Sequence, residues 1–244
     1  MQSPLVSIKE LISEEPLNAF KFNAFGIDYE THKDCTLKEV CKKYNLPVSR
    51  VLRVLETKQE KTTASKQDTF TIAEMATHLT QTHHKYLKQH LPFIETTLAG
   101  LASDYVELEN LCTMFSDFKV RFIEHVEYEE KEVFPYIRKL QHFYSNRNLP
   151  LAAVYGVLRD FSIMEFEEKH SPVEDEFGAM RTQVNAALAH LDSDMRVQII
   201  NAELAAIEED LCQHAKLEDE ILVPRTAMIE KALLKHVDEN SRWN

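Results

Sequence analysis

Glycine is scarce in this sequence, at 4 of 244 residues, whereas average usage is about 7%. Few positions can therefore adopt a positive φ without strain, which argues against a hairpin-rich β fold, a Rossmann turn and a phosphate-binding P-loop. The remaining composition, 44% hydrophobic and 28% charged, is ordinary for a globular protein with a sizeable core. We therefore expect a helical protein.

Basic residues are fewer than acidic residues in this sequence, and long apolar runs are absent from it. The sequence has 28 Lys and Arg against 40 Asp and Glu, and its formal net charge of −12 argues against nucleic acid as the main partner. No run reaches the roughly 18 apolar residues of a membrane-spanning helix. The segment Met1–Glu14 lacks the basic stretch followed by an apolar run that is typical of a signal peptide. We expect no membrane association and a cytoplasmic protein.

The four cysteines form no C-x-x-C pair and are too widely spread to suggest a zinc site or a disulfide framework. They are Cys35, Cys41, Cys112 and Cys212. Reduced thiols are the expected state.

A polar segment, Glu56–Thr69, indicates a connector between two modules, because Ala64 is its one apolar residue. Before it, the capping box Thr36-x-x-Glu39 and the turn at Asn45-Leu46-Pro47 predict a short helical pair. The expected domains are a small helical N-terminal domain at 1–58, a linker at 59–70, a main domain at 71–238 and a frayed tail at 239–244.

The main domain opens with a second capping box, Thr71-x-x-Glu74, and then shows helical apolar periodicity almost to its end. The periodicity is interrupted near Leu98–Ser103, Asn146–Pro150 and Asp192–Asp194. Four long helices follow from these breaks. An up-down-up-down four-helix bundle is the simplest all-α architecture that hides four apolar stripes from water.

Histidines and glutamates interrupt those apolar stripes. The predicted second helix carries His125 and Glu129 on its buried face, and the predicted fourth helix carries His214 and Glu218 in the same way. Imidazoles and carboxylates in a dry core each cost several kcal/mol unless they are partnered. We therefore expect these side chains to share a partner.

The spacing of the histidines supports one shared site. His84, His125, His170 and His214 are separated by 41, 45 and 44 residues, which places them at similar height in an antiparallel bundle. Two eleven-residue segments, HVEYEEKEVFP and HAKLEDEILVP, repeat His, Glu and Pro at equal offsets, with an acidic residue after each Glu. This order of single and paired ligands predicts a dinuclear metal site with two bridging carboxylates.

The residues leave two assignments open. His83 lies on the same side as Ala76, Leu79 and Leu87, so either His83 or His84 is the ligand on the first helix. Glu174 is four residues after His170 and is a further candidate bridge, although Pro172 disturbs that turn. We rank Glu174 below Glu129 and Glu218.

Two parts of the chain resemble known families. The pattern in the main domain is similar to the hemerythrin-like di-iron domain, and it consists of His84, His125-x-x-x-Glu129 with Phe134-Pro135, His170, and His214-x-x-x-Glu218 with Pro224-Arg225. The first domain, with Phe25-Gly26-Ile27-Asp28-Tyr29 followed by Thr36-Leu37-Lys38-Glu39-Val40-Cys41, resembles the N-terminal domain of the iron-sulfur cluster repair proteins, the repair-of-iron-centres family.

The resemblance implies two non-haem iron ions with oxo or hydroxo and carboxylate bridges. It favours His84 over His83 because of the spacing to Leu91-Pro92. The implied metal ligands are His84, His125, Glu129, His170, His214 and Glu218.

The family also implies a cytoplasmic role in repairing iron-sulfur clusters damaged by oxidative or nitrosative stress, which we expect to proceed by iron donation. The expected partners are damaged iron-sulfur proteins and the small ligands O₂, NO and peroxide, with a homodimer left open. Where the family typically has a Cys-Cys pair followed by glycine, this chain has Glu30-Thr31-His32-Lys33, with Cys35 nearby. A vicinal thiol function is therefore not carried over.

Two other functions compete. The first is a di-iron sensor that binds O₂, NO or peroxide, or a reductase of NO or peroxide. It is supported by the coordination positions that would stay open on the iron ions, so enzyme activity is left open. A DNA-binding regulator follows from residues 36–61, which carry seven Lys and Arg against three Glu. We rank it low, since the whole chain is acidic and has no second basic element to hold phosphates.

Overall fold

A computed structural model describes residues 4–57, 70–146, 150–169 and 173–241 of the chain. Helices account for nearly all regular structure in these ranges, and no β-strand occurs in them. The all-helical prediction is confirmed. The α-helices are α1 Ile8–Glu14, α2 Asn18–Ala24, α3 Leu37–Lys43, α4 Val48–Glu56, α5 Ile72–Lys85, α6 Leu91–Asp104, α7 Glu109–Tyr128, α8 Phe134–Ser145, α9 Leu151–Asp160, α10 Ile163–Lys169, α11 Val173–Leu188, α12 Met195–Leu217 and α13 Val223–Ser241.

Shorter helical turns join several of these elements. Three of the turns are π-helical, and they span Tyr86–His90, Glu129–Val133 and Glu218–Leu222. Two are 3₁₀ turns, at Val106–Leu108 and Ala189–Leu191.

Capping boxes begin three helices. The two predicted boxes are confirmed: Thr36 and Glu39 begin α3, and Thr71 and Glu74 begin α5, with each carboxylate accepting from the backbone N–H of its threonine. Ser7 and Glu10 form a third box at α1, which the sequence analysis did not identify.

The chain divides into two compact units, neither of which is one continuous segment. The first contains Met1–Thr62, Tyr86–Asp117 and Gly178–Glu208. Its core joins residues of α1 to α4, such as Phe22 and Leu37, to Phe93 and Ile199.

The predicted domain at 1–58 therefore shares its core with residues far along the chain, so the observed division differs from the predicted one. Residues 58–69 and 242–244, which include most of the predicted linker and the end of the predicted tail, lie outside the described residues.

The second unit contains Thr63–Lys85, Phe118–Phe177 and Glu209–Asn244. In it α5 packs against α8, and α13 packs against α8, α9 and α10. The buried carboxylate of Glu230 accepts from the Ile163 backbone N–H at 3.0 Å, which links α13 to the start of α10. Every described residue of the candidate site belongs to this unit.

The observed breaks in the helices lie within a few residues of the predicted breaks at all three places. α8 ends at Ser145 and α12 begins at Met195, as expected. The first break comes directly after the predicted range, because α6 continues to Asp104. The predicted third helix consists instead of α9, α10 and α11, interrupted at Phe161 and Ser162.

No described helix combines the length and apolar character needed to cross a membrane. All four cysteines are free: Cys41 is buried, Cys35 and Cys112 are partly exposed and Cys212 is exposed.

Candidate metal centre

Proline follows each π-turn at the same distance. Pro92, Pro135 and Pro224 are each the second residue after a π-turn. Proline lacks the N–H of a regular α-helix, and its ring clashes with the carbonyl four residues earlier, so the preceding turn widens. Such π-turns are frequent at functional sites.

Two of these turns begin at the predicted carboxylate ligands. The Phe134 backbone N–H donates to the carbonyl of Glu129, and the Val223 N–H donates to the carbonyl of Glu218. Each is a bond across five residues rather than four. The internal sequence repeat therefore corresponds to two copies of one local structure, with Glu at the first position of the wide turn.

Three side chains from different helical segments converge in the second unit. The Nε2 atoms of His83 on α5 and His214 on α12 are 3.1 Å apart, and His83 Nε2 lies 3.2 Å from Glu129 Oε2. One potential ligand atom from each of these three residues lies within 4.8 Å of the others. The geometry fits a single cation held by two imidazoles and a carboxylate.

Two more predicted ligands extend this cluster. His125 Nε2 lies 2.7 Å from the other Glu129 oxygen, Oε1, so the Glu129 carboxylate reaches histidines on both of its sides. Glu218 Oε2 lies 3.8 Å from His214 Nε2. Five side chains are thus linked through ligand atoms.

The cluster is removed from solvent. Glu129 is 0% exposed, Glu218 and His83 are each 2% exposed, and His214 is 9% exposed. The His125 side chain, at 18% exposed, is the most accessible of the five. Glu218 Oε1 is buried and has no hydrogen-bond partner among the described residues.

Burial also shifts the protonation of this cluster toward neutral forms. Desolvation, followed by the nearby His83 imidazole, lowers the pKa of His214 to about 3. Desolvation, followed by the charge of Glu129, raises the pKa of Glu218 well above its usual value. A neutral imidazole is the form that binds a metal, and a cation would relieve the repulsion between the carboxylates.

The structure brings together four of the six predicted ligands, His125, Glu129, His214 and Glu218. His170 lies outside the described residues. Glu174, the weaker candidate, is half-buried on α11, and its charge contributes to the raised pKa of Glu218.

The first-helix histidine that lies in the cluster is His83, and not His84, the residue chosen from the sequence. The His84 side chain is 48% exposed and lies outside the cluster. The choice of His84 depended on the spacing to Leu91-Pro92, but the π-turn Tyr86–His90 adds a residue to that interval. The inward-facing position therefore moves back by one, since adjacent helical residues project about 100° apart.

Sequence reasoning missed one neighbour of the cluster, Glu130. Its Oε1 atom lies 3.2 Å from His83 Nδ1, on the side of the ring opposite the ligand atom. The Phe134 ring stacks on the His83 ring, with centroids 5.7 Å apart and an interplanar angle of 15°. The acidic residue after each repeated Glu was the available signal for Glu130.

Comparisons with known proteins give no family assignment. No protein-family model matches the chain, and a search of curated proteins finds no match.

Proposed function

We propose that this chain is a metal-binding protein with a dinuclear non-haem iron centre in a hemerythrin-like four-helix bundle. The observation that carries the proposal is the buried convergence of His83, His214 and Glu129 within 4.8 Å. His125, Glu218 and, from the sequence, His170 complete the ligand set. Imidazole and carboxylate donors suit iron, and also manganese, cobalt or zinc, so iron itself comes from the sequence resemblance.

The residues present fit such a centre. Glu129 places one oxygen by His83 and the other by His125, as a bridging carboxylate would. Glu218 Oε1 is a buried oxygen lacking a protein partner in the described chain, and a bound cation would satisfy it. When bound, the iron pair would supply redox chemistry and open positions for small ligands.

The proposed role is repair of iron-sulfur clusters damaged by oxidative or nitrosative stress, by donation of iron to damaged proteins. The sequence resemblance of both parts of the chain supports this role. The donors of the proposed centre include carboxylates as well as imidazoles. His125 is partly exposed, so one edge of the centre lies near solvent.

A second candidate is a di-iron protein that binds or reduces NO, O₂ or peroxide. The same exposed edge at His125 favours it, because a small ligand must reach the metals. Single-turnover assays with NO, with analysis for N₂O, distinguish the two: stoichiometric N₂O supports the reductase, and unchanged NO favours repair.

The test of the metal centre is iron analysis of the purified protein with an optical spectrum. We expect about two irons per chain and near-ultraviolet absorption from an oxo bridge, both lost in Glu218→Ala. Glu220→Ala is the matched control, because Glu220 is an exposed carboxylate on the same π-turn. Absence of bound iron in the wild type after anaerobic loading with ferrous salt would contradict the proposal.

Iron donation has its own test. A chelator added to the loaded protein under reducing conditions should remove iron within minutes to hours, in parallel with transfer to a damaged iron-sulfur protein. Retention of iron for days would count against donation while leaving the metal centre intact.

A further inference from the structure

Glu130 connects the buried cluster to the outer face of α5. One carboxylate oxygen, Oε1, lies 3.2 Å from Nδ1 of the buried His83. The other, Oε2, lies 3.7 Å from Nε2 of the exposed His84. Glu130 is itself 26% exposed, so it stands at the boundary between the cluster and solvent.

The contact with Nδ1 bears on which nitrogen of His83 carries the proton, because the roles of the two ring nitrogens depend on the tautomer. An ionised carboxylate can only accept a hydrogen bond, so Glu130 favours the tautomer in which Nδ1 is the donor. In a neutral imidazole the lone pair is then on Nε2. Nε2 is the atom that faces His214 and Glu129, at 3.1 and 3.2 Å.

Glu129 and Glu130 both reach His83 from the wide turn after α7. They are consecutive residues, which in a regular α-helix project about 100° apart. They are the first two residues of the π-turn Glu129–Val133, and Phe134 directly follows it. This short segment therefore presents a carboxylate to each nitrogen of His83 and an aromatic ring to its face.

In the second copy of the repeat, the residue after Glu218 is Asp219, which is exposed, whereas Glu130 is only 26% exposed.

We propose that Glu130 is a positioning residue for the metal centre: it accepts the Nδ1 proton of His83 and so directs the Nε2 lone pair at the cation. The inference rests on the proposed metal-binding function. Partners of this kind fix the tautomer and orientation of a metal-ligating histidine, and their loss typically weakens metal binding by about 10- to 100-fold.

The test combines ferrous ion titration with nitrogen-15 NMR of the His83 ring in the metal-free protein. Glu130→Leu removes the acceptor, and we expect ferrous affinity to fall by about 10- to 100-fold and the Nδ1-protonated form to lose its dominance. Glu130→Gln keeps a neutral acceptor and should restore part of both. Circular dichroism and thermal melting verify that each variant is folded.

Two control variants isolate the proposed contact. Glu132→Leu changes an exposed carboxylate on the same π-turn, and His84→Ala removes the outer neighbour of Glu130. Neither should change the ferrous affinity or the His83 tautomer by more than about twofold.

The outcomes separate this inference from the proposed function. Unchanged affinity and tautomer in folded Glu130→Leu would overturn the positioning role while the metal centre stands. If the wild type binds no ferrous ion, the proposed function fails, and the tautomer spectrum still decides whether Glu130 holds His83.

Discussion

Two adjacent histidines on α5 have opposite environments. His83 is 2% exposed and has both ring nitrogens in contact with other polar groups, whereas the His84 side chain is 48% exposed and lies 3.7 Å from Glu130. The first can be a ligand without rearrangement of the backbone. The second would require α5 to turn by about 100°.

Alanine substitution of each histidine distinguishes them. We expect His83→Ala to lose at least one of the two irons per chain, because a donor is removed from the centre. His84→Ala should keep the wild-type iron content. Iron analysis of both variants after identical ferrous loading is the measurement, and the reverse pattern would restore His84 as the ligand.

A buried carboxylate lowers the stability of a protein when neither a hydrogen-bond donor nor a cation compensates it. Glu218 is 2% exposed, and its Oε1 lacks a hydrogen-bond partner in the described structure. An uncompensated buried polar group of this kind destabilises the fold.

Glu218→Met should therefore stabilise the metal-free protein by about 1–2 kcal/mol, since it replaces the carboxylate by an apolar side chain of similar length. A rise in melting temperature of roughly 2–8 °C corresponds to that gain. Differential scanning calorimetry of chelator-treated protein measures it, with Glu220→Met as the exposed control. A lower melting temperature than wild type would show that the Glu218 carboxylate stabilises the metal-free state.

Much of the site could be predicted from residue spacing. His125, Glu129, His214 and Glu218 follow from the helical period, because polar residues on an apolar stripe must meet one another in the core. The period also left His83 as a candidate, and His84 was chosen over it from the spacing to Leu91-Pro92, an interval that contains the widened turn at Tyr86–His90. Glu130 was missed because it is not on the apolar stripe itself.

At the scale of elements, the π-turn Glu129–Val133 sets the direction of both Glu129 and α8. It is maintained by the bond from the Phe134 N–H to the Glu129 carbonyl, and Pro135 disfavours the regular alternative. The conformation of this turn and the position of the carboxylate are therefore coupled.

Pro135→Ala should weaken ferrous binding by about tenfold or more, because the new N–H can donate to the Lys131 carbonyl and shift the turn toward α-helix, which rotates Glu129. Isothermal titration with ferrous ion under anaerobic conditions gives the affinity. Pro150→Ala, at the N-cap of α9, controls for loss of a proline elsewhere. Wild-type affinity in Pro135→Ala would mean that packing alone holds the turn.

The capping box at α5 is a second element whose contribution can be isolated. The Glu74 backbone N–H donates to Thr71 Oγ1 at 3.2 Å, and the Thr71 N–H donates to Glu74 Oε2 at 2.8 Å. Thr71→Ala should lower the free energy of unfolding by about 1 kcal/mol.

Thr77→Ala, in the middle of the same helix, is the matched control for Thr71→Ala. The Thr77 side chain is exposed and bonds only back to the Ala73 carbonyl, so alanine should be neutral or slightly stabilising. Urea denaturation of the two variants compares them directly. Equal losses in both would indicate that the cap contributes nothing specific.

Helix boundaries could be predicted where a local signal exists. The capping boxes gave the starts of α3 and α5, and the Asn45-Leu46-Pro47 turn gave the end of α3. The division of the third segment into α9, α10 and α11 had a weaker local signal. One of its causes is distant in sequence, since Glu230 accepts the N–H of Ile163 at the start of α10.

At the scale of the whole molecule, the two units are each assembled from separate parts of the chain. Phe93 and Ile199 join the core of the four N-terminal helices, so that core includes contacts across more than 100 residues. Composition shifts along a sequence reveal connectors but not such distant contacts. This is why the predicted boundary at 58 differs from the observed units.

The stability of the first unit should decrease at acid pH as Asp194 becomes protonated. Hydrogen bonds from the Arg196 side chain hold the pKa of Asp194 below its usual value. As the pH falls, Asp194 therefore takes up a proton in the unfolded chain before it does so in the folded chain. The stabilisation is present above about pH 4 and is lost below it. Asp194→Asn should therefore cost about 1–2 kcal/mol at pH 7 and show a smaller further loss between pH 5 and 3 than the wild type. The midpoints of urea denaturation at each pH measure this effect, and Asp192→Asn, at an exposed residue, is the control. Parallel pH profiles for Asp194→Asn and the wild type would exclude this role for Asp194.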